Sequence, residues 1–247
     1  MDENRDEKKK ILAIDSSGLV ASAAVICGDE LIAEYTVNYK KTHSQTLLPM
    51  LEEIKKMTDL DLDSIDAIAV AAGPGSFTGL RIGSATAKGL GLALNKPLIG
   101  VPTVDGLAYN LYGTENYICP IMDARRNQVY TGVYRFERGG GQFLMKTVKA
   151  QCAVSIDEII HFLNEAGEEV IFLGDGVPVF REKIAQSSTV PYSFAPAHMN
   201  RQRAASIAVL GQLYLKQGRQ QTAAEFAPEY LRMSQAERER LEKTNMI

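Results

Sequence analysis

The sequence has few of the residues that build disulfide frameworks or metal sites. Its 247 residues include three cysteines and three histidines. Cys27, Cys119 and Cys152 are odd in number, far apart and without CxxC spacing, so neither a disulfide framework nor a zinc site is indicated. This cysteine usage suits a reducing cytosol. The histidines also lack the spacing of a metal-binding pair, and we predict no metal site.

An excess of positive charge and a long apolar run are missing as well. The formal net charge of −3 argues against binding nucleic acid through bulk electrostatics, although a local basic patch is compatible with it. No run approaches the roughly 18–20 apolar residues of a membrane-spanning helix. The charged start of the chain lacks the apolar segment of a secretory signal. We therefore expect a soluble, cytoplasmic protein that does not associate with a membrane.

The first part of the chain has a regular order of strands and helices. Apolar periodicity and turn residues predict three strands, a helix, a strand, a helix, a short strand and the start of a helix. In chain order they are Ile11–Ser16, Val20–Cys27, Leu31–Asn38, Ser44–Met57, Ile65–Ala72, Thr78–Leu94, Leu98–Val101 and a helix from Thr103.

A similar order repeats further along. The predicted strands are Tyr117–Asp123, Val129–Phe136 and Gln142–Ala150, followed by a helix capped by Ser155, the strand Glu169–Leu173 and the helix Arg201–Lys216. The order therefore predicts an α/β fold of two duplicated lobes with mixed sheets flanked by helices. We place the first lobe at 11–103 with the returning helix at 201–217, and a smaller second lobe at 104–200. A disordered tail at 1–10 precedes them and a C-terminal extension at 218–247 follows.

The most informative segment is Asp66–Gly83, "DAIAVAAGPGSFTGLRIG". A buried strand breaks at Gly73-Pro74-Gly75, and a small-residue helix follows, which is an anion-binding geometry. The segment lacks both the Gly-Lys-Ser/Thr end of a P-loop and the spacing of a dinucleotide fingerprint. A phosphate site, a structural turn and an association surface all remain open. Because each interior helical glycine costs about 1 kcal/mol, close approach by another element must offset Gly83, Gly89 and Gly91.

Three further turns follow predicted strands and carry polar residues. The Asp15-Ser16-Ser17 turn could hold a nucleotide-bound metal or simply reverse the chain. The Asp123-Ala124-Arg125-Arg126 turn could contact phosphate or expose its charges. The same alternatives apply to Gly174-Asp175-Gly176. For His43, at a predicted helix start, we favour a cap or surface role over that of a ligand or base.

Taken together, seven ordered segments resemble the TsaB family, also called YeaZ, over most of the chain. They are "ILAIDSS", "HSQTLLPML", "DAIAVAAGPGSFTGLRIG", "GVPTVDGLA", "MDARRNQVY", "LGDG" and "PEYLR". The resemblance implies the actin-like ATPase (ASKHA) fold, which the family shares with its catalytic relative TsaD. It also implies a role with TsaD and TsaE in transferring threonylcarbamoyl from its adenylate to N6 of adenosine 37, in tRNAs that read codons beginning with adenine.

Compared with TsaD, the chain resembles a degenerate member. The positions of the TsaD metal-binding histidines correspond to Thr103 and Leu107, which cannot replace two imidazoles. Side chains at Asp123–Arg126 stand where TsaD has a glycine-rich phosphate turn. The resemblance thus implies no catalytic residue, metal or cofactor of its own, and it leaves ATP in the complex with TsaD and TsaE open. It implies a vestigial nucleotide site at Asp15, Ser16, Gly73, Gly75, Asp123 and Gly174.

In this family, helices of the first lobe form the surface that pairs with TsaD. The implied interface residues are Leu47, Leu51, Gly79, Gly83, Ser84, Ala87, Leu90 and Gly91. The same face could serve a homodimer when TsaD is absent, and tRNA would be contacted indirectly through the complex. Two alternatives remain: an active ATP-dependent enzyme of the actin-like group that uses Asp15 and the Gly73–Gly75 turn, or a peptidase acting on TsaD. No Ser/His/Asp set in the sequence favours the peptidase.

Overall fold

The structure is a computed structural model, and it describes residues 8–39 and 41–232. The predicted disordered tail lies mostly outside this part of the chain, but Lys10 already begins the first strand. The end of the predicted C-terminal extension lies outside it too. No helix in the described part combines the length and hydropathy that crossing a bilayer requires.

The first sheet has five strands in the order β3-β2-β1-β4-β5. They are β1 Lys10–Asp15, β2 Ala21–Cys27, β3 Glu30–Val37, β4 Ala67–Gly73 and β5 Leu98–Pro102. The sheet is mixed, because β1 pairs antiparallel with β2 and parallel with β4. Helices α1 His43–Met57 and α2 Phe77–Leu94 accompany it, and α3 Thr103–Tyr109 follows β5 directly. A short 3₁₀ turn, Leu62–Ser64, precedes β4.

The second sheet repeats this order as β8-β7-β6-β9-β10. Its strands are β6 Tyr117–Asp123, β7 Gln128–Gly139, β8 Gln142–Ser155, β9 Val170–Leu173 and β10 Tyr192–Phe194; its helices are α4 Ile156–Ala166 and α5 Val177–Ser187, and α6 Ala204–Lys216 ends the series. The predicted α/β fold with two duplicated mixed sheets is therefore confirmed, in the arrangement expected of the actin-like ATPase fold. Two of its elements, α5 and β10, were not predicted. The lobe boundaries stay a prediction.

Both faces of each sheet are covered, which explains why the central strands are almost continuously apolar. Leu12 and Ile68 pack toward α1 and α2, whereas Ile11 and Ala69 pack toward α6. In the second sheet, α4 and α5 cover one face and α3 covers the other. The predicted cap of α4 is confirmed, because Ser155 forms a reciprocal capping box with Glu158.

One buried carboxylate ties three of these elements together. Asp105 of α3 accepts hydrogen bonds from the Tyr134 hydroxyl of β7 at 2.7 Å and from the Tyr214 hydroxyl of α6 at 3.1 Å. Burial raises the pKa of the Asp105 carboxyl, and the two hydroxyl donors lower it in part. Through the Asp105 side chain, helix α6, which covers the first sheet, is joined to strand β7 of the second sheet.

Candidate functional site

A cleft of about 750 Å³ lies between the two sheets. It opens at the carboxyl ends of β1 and β4 on one side and of β6 and β9 on the other, where α/β sheets generally bind ligands. The residues that line it include Gly18, His43, Gly75, Phe77, Asp123, Arg125, Asp175, Glu229 and Arg232. The structure therefore brings the turns singled out in both halves of the sequence to one place.

Asp15 is sealed beneath this cleft rather than open to it. The side chain is 1% exposed, and its Oδ1 accepts hydrogen bonds from the Ser17 amide at 2.9 Å and the Ser17 hydroxyl at 2.6 Å. Burial raises the pKa of the Asp15 carboxyl from 3.8 to about 6, while the Ser17 donors and the nearby His43 lower it in part. The neighbouring Ser16 hydroxyl donates to the carbonyl of Gly79 at 2.9 Å. Both residues hold the turn against α2.

His43 lies at the first position of α1, where Thr42 and not His43 is the N-cap residue. The ring is half-buried and lines the cleft, and its Nε2 hydrogen-bonds the Gly18 carbonyl at 2.8 Å. The expectation of a cap or surface residue is therefore wrong. His43 joins α1 to the turn that follows β1.

The Gly73-Pro74-Gly75 turn packs against the chain's own backbone. A Cβ on Gly73 would collide with the carbonyl oxygen of Glu229, and a Cβ on Gly75 would collide with that of Ser17. The Ser76 amide donates to the Ser17 carbonyl at 2.7 Å, and the Ser76 hydroxyl caps α2. The close approach that glycine permits is therefore used within the chain. A phosphate cradle does not fit this turn.

The matching turn of the second sheet is no better suited to phosphate. Arg125, Arg126 and Asn127 all have positive φ, at 65°, 54° and 58°, and the Arg125 amide donates to Asp123 Oδ1 at 2.8 Å. Gly174 allows close packing of its loop on the carbonyl of Ile121. Burial raises the pKa of Asp175, which faces the same turn. Three exposed side chains and a carboxylate stand where a nucleotide would need free backbone amides.

The two positions that the resemblance aligns with the TsaD histidines lie on one turn of α3. Thr103 and Leu107 are both fully buried. Leu107 packs in the core beside the second sheet, so this face of α3 is not open to a ligand. Among residues 8–39 and 41–232, no group of three His, Cys, Asp or Glu side chains has an arrangement that could hold a metal ion.

Most of the expected interface residues lie inside the first lobe. Residues Leu47, Gly79, Gly83, Ser84, Ala87 and Gly91 are buried, and Leu51 and Leu90 are half-buried. A Cβ on Gly83 would approach the Ser16 hydroxyl, and one on Gly91 would collide with Leu98. The small size of Gly79, Gly83 and Gly91 serves packing against Ser16 and Leu98, and the role of this set as partner contacts stays a prediction. Gly89 differs, since it is exposed and nothing lies within 4 Å of its Cβ position.

Comparison with known proteins places the chain among tRNA-modification proteins. The family model described as "TsaD: tRNA N6-adenosine threonylcarbamoyltransferase" matches residues 30–240. The tRNA threonylcarbamoyladenosine biosynthesis protein TsaB of Bacillus subtilis is 33% identical over 230 residues, which cover 92% of this chain and 96% of that protein. The chain belongs to the TsaB family.

Other TsaB-family relatives agree with this assignment. TsaB of Escherichia coli is 35% identical over 134 residues, 53% of this chain and 57% of that protein. The solved structure of YeaZ from Pseudomonas aeruginosa is 25% identical, with a TM-score of 0.75 over 90% of this chain and 100% of that chain. The TsaB-family fold is thus shared over nearly the whole described chain.

Sequence reasoning missed the part that the C-terminal segment plays in the cleft. Glu229 and Arg232 lie in "PEYLR", which was recognised as a motif but given no role. Asp105 was also missed, since a single acidic residue in "GVPTVDGLA" carries no signal of two tyrosine partners far along the chain. No local pattern around Gly73 indicates that the Glu229 carbonyl packs against it, because the contact joins residues far apart in the sequence.

Proposed function

We propose that this TsaB-family chain acts in the biosynthesis of threonylcarbamoyladenosine at position 37 of tRNA, in the cytoplasm, as a non-catalytic partner of TsaD that works together with TsaE. Support comes from the relatives named for this pathway and from the TsaD family model that covers most of the chain. The transfer of threonylcarbamoyl to adenosine would take place on TsaD, and tRNA would reach this chain through the complex.

The proposal rests on one observation: the groups of the cleft that could meet a nucleotide are already bonded or packed within the chain. Its first-sheet turn is packed on the carbonyls of Glu229 and Ser17, and Asp15 is closed off by Ser17. Neither group is free to meet a nucleotide or its metal. ATP, if used by the complex, would be held by the partners and not by this cleft.

The outer faces of α1 and α2 support a docking role. They expose Leu48 and Leu92, at 57% and 71%, and Gly89 has open space above it. A helical glycine costs about 1 kcal/mol relative to alanine, and nothing in the described chain approaches Gly89 closely enough to require it. Close approach by a partner helix would account for it. With Leu51 and Leu90 at its inner edge, this face is where we place TsaD, and a homodimer could use it when TsaD is absent.

Depletion of the chain tests the pathway assignment. Threonylcarbamoyladenosine in total tRNA should fall when the chain is removed and recover when the wild-type gene is restored. Unchanged levels would rule out the assignment.

Two kinds of variant then separate a scaffold from an enzyme. Asp15→Asn and Asp123→Asn should restore the modification fully, whereas Leu92→Asp should not.

The alternative of an active ATP-dependent enzyme makes the opposite prediction. Asp15→Asn would then abolish function, and the purified chain would hydrolyse ATP with Mg²⁺ without a partner. The peptidase alternative gains no support from the described residues, since His43 Nε2 bonds the Gly18 carbonyl and not a serine hydroxyl.

A further inference from the structure

The C-terminal segment Ala227–Arg232, called the strap below, crosses the cleft between the two sheets. It is anchored at its start in the first sheet's core. Phe226 is 1% exposed within that core, and Lys88 Nζ donates to the Phe226 carbonyl at 2.9 Å. Just before it, Gln221 and Leu98 exchange two backbone hydrogen bonds of 2.8 Å. The strap therefore starts from a fixed point.

From this anchor the strap passes over the turn that ends β4. The Glu229 amide donates to the Ala72 carbonyl at 2.7 Å, and the Glu229 carbonyl occupies the space that a Cβ on Gly73 would need. The Tyr230 ring packs on the Phe77 ring at the start of α2, with 4.6 Å between centroids. These contacts hold the strap to the first-sheet side of the cleft.

The strap then reaches the second sheet. Arg232 Nη1 donates to the carbonyl of Ala124, in the turn after β6, at 2.6 Å. Gln151 Nε2, on β8, donates to the Glu229 carboxylate at 2.8 Å. One short segment thus bonds to the ends of β4 and β6, the two strand ends that face each other across the cleft.

We propose that the strap is an intramolecular clasp that fixes the width of the cleft. A ligand bound across the carboxyl ends of both sheets would join the same elements, and would favour a closed arrangement by bonding to both sides. Here a segment of the chain itself makes those bonds. The two sheets are also joined through Asp105, so breaking the strap leaves a connection about which they can move.

Spin labels on the two sides of the cleft measure this directly. Thr78, at the start of α2, and Val179, at the start of α5, are exposed and line the cleft. In the full-length chain, with the partly exposed Cys27 and Cys152 replaced by serine, cysteines at 78 and 179 carry the labels. In this otherwise wild-type chain, pulsed electron–electron double resonance should give one narrow distribution of distances between the two labels. In the Tyr230→Ala/Arg232→Ala variant the mean distance should increase and the distribution at least double in width.

The control removes an aromatic ring and a cation from the same cleft without touching the strap. Tyr39 and Lys41 line the first-sheet side, and Tyr39→Ala/Lys41→Ala should leave the distribution unchanged. Circular dichroism confirms that both double variants are folded, which the retained Phe226 anchor favours. A second strap variant, Arg232→Ala alone, should broaden the distribution to a lesser extent. A narrow, unshifted distribution in both strap variants, or equal broadening in the control, would overturn the proposal.

Discussion

Asp15 and Ser17 form a closed pair in which the amide and the hydroxyl of Ser17 both donate to the same carboxylate oxygen, at 2.9 and 2.6 Å. Two hydrogen bonds stabilise the charged form of Asp15, yet burial outweighs them and raises its pKa from 3.8 to about 6. The pair therefore holds the turn after β1. Above about pH 6 the buried carboxyl is ionised, and this lowers the stability of the folded chain.

The sign of that cost gives a prediction for Asp15→Asn. Between about pH 4 and pH 6 the folded chain binds more protons at Asp15 than the unfolded chain, so the stability contribution of Asp15 rises as pH falls through this window. A rise of the Asp15 pKa from 3.8 to about 6 corresponds to about 3 kcal/mol at most. Because the amide oxygen of asparagine can accept both Ser17 donors, Asp15→Asn should raise the unfolding free energy at pH 8 by about 1–3 kcal/mol.

Urea unfolding at pH 4, 6 and 8 checks this prediction. The gain from Asp15→Asn should shrink as pH falls and nearly vanish at pH 4, where both side chains are neutral. The matched control is Asp29→Asn, which makes the same change at an exposed aspartate. An equal difference in unfolding free energy between wild type and Asp15→Asn at all three pH values would contradict a raised pKa of Asp15.

Three glycines on α2 form a matched set. Gly83 and Gly91 are closed in by Ser16 and Leu98, whereas Gly89 has nothing within 4 Å. Gly83→Ala and Gly91→Ala should destabilise the chain by about 1–3 kcal/mol through overpacking. Gly89→Ala should stabilise it by about 0.5–1 kcal/mol, because alanine loses less backbone entropy in a helix. Thermal unfolding of the three variants checks the order, and a loss of stability in Gly89→Ala would show that this glycine too has a role inside the chain.

These glycines show how far the sequence could lead. Periodicity placed α2 to within one residue, and turn signals placed Tyr117–Asp123 as observed, because both depend on local pattern. Helix α5 was missed since "VPVFREKIAQS" has only a weak apolar face. Glycine spacing indicated that something approaches α2. Which element approaches is decided by contacts distant in sequence, such as Gly91 with Leu98 or Gly73 with Glu229.

A charge placed on the outer face of α1 or α2 should weaken the binding of TsaD. Leu48→Asp and Leu92→Asp change exposed side chains, so stability should stay within about 0.5 kcal/mol of wild type. Calorimetric titration with purified TsaD should show affinity lower by about tenfold or more, as expected for apolar contacts near the centre of an interface. Substitutions at the buried Gly83 or Ala87 would disturb the lobe itself and cannot test the interface.

Leu144→Asp is the matched control for this surface. Leu144 is 49% exposed on β8 of the second sheet, away from both helices. Its substitution should leave TsaD affinity unchanged. Equal weakening by all three aspartates would indicate a nonspecific effect of negative charge, and normal binding of both helix variants would place TsaD on another face.

The Asp105 network predicts strong coupling between two tyrosines. Tyr134→Phe and Tyr214→Phe each remove one hydroxyl donor from the same carboxylate, and each should cost about 1–3 kcal/mol. The double variant should cost more than the sum, because it leaves a buried carboxylate without either donor. Since the donors lower the pKa of Asp105, their loss raises it further, and the penalty should be larger at pH 8 than at pH 4. Denaturant unfolding of the four-member cycle at both pH values measures this coupling, and additive, pH-independent effects would contradict it.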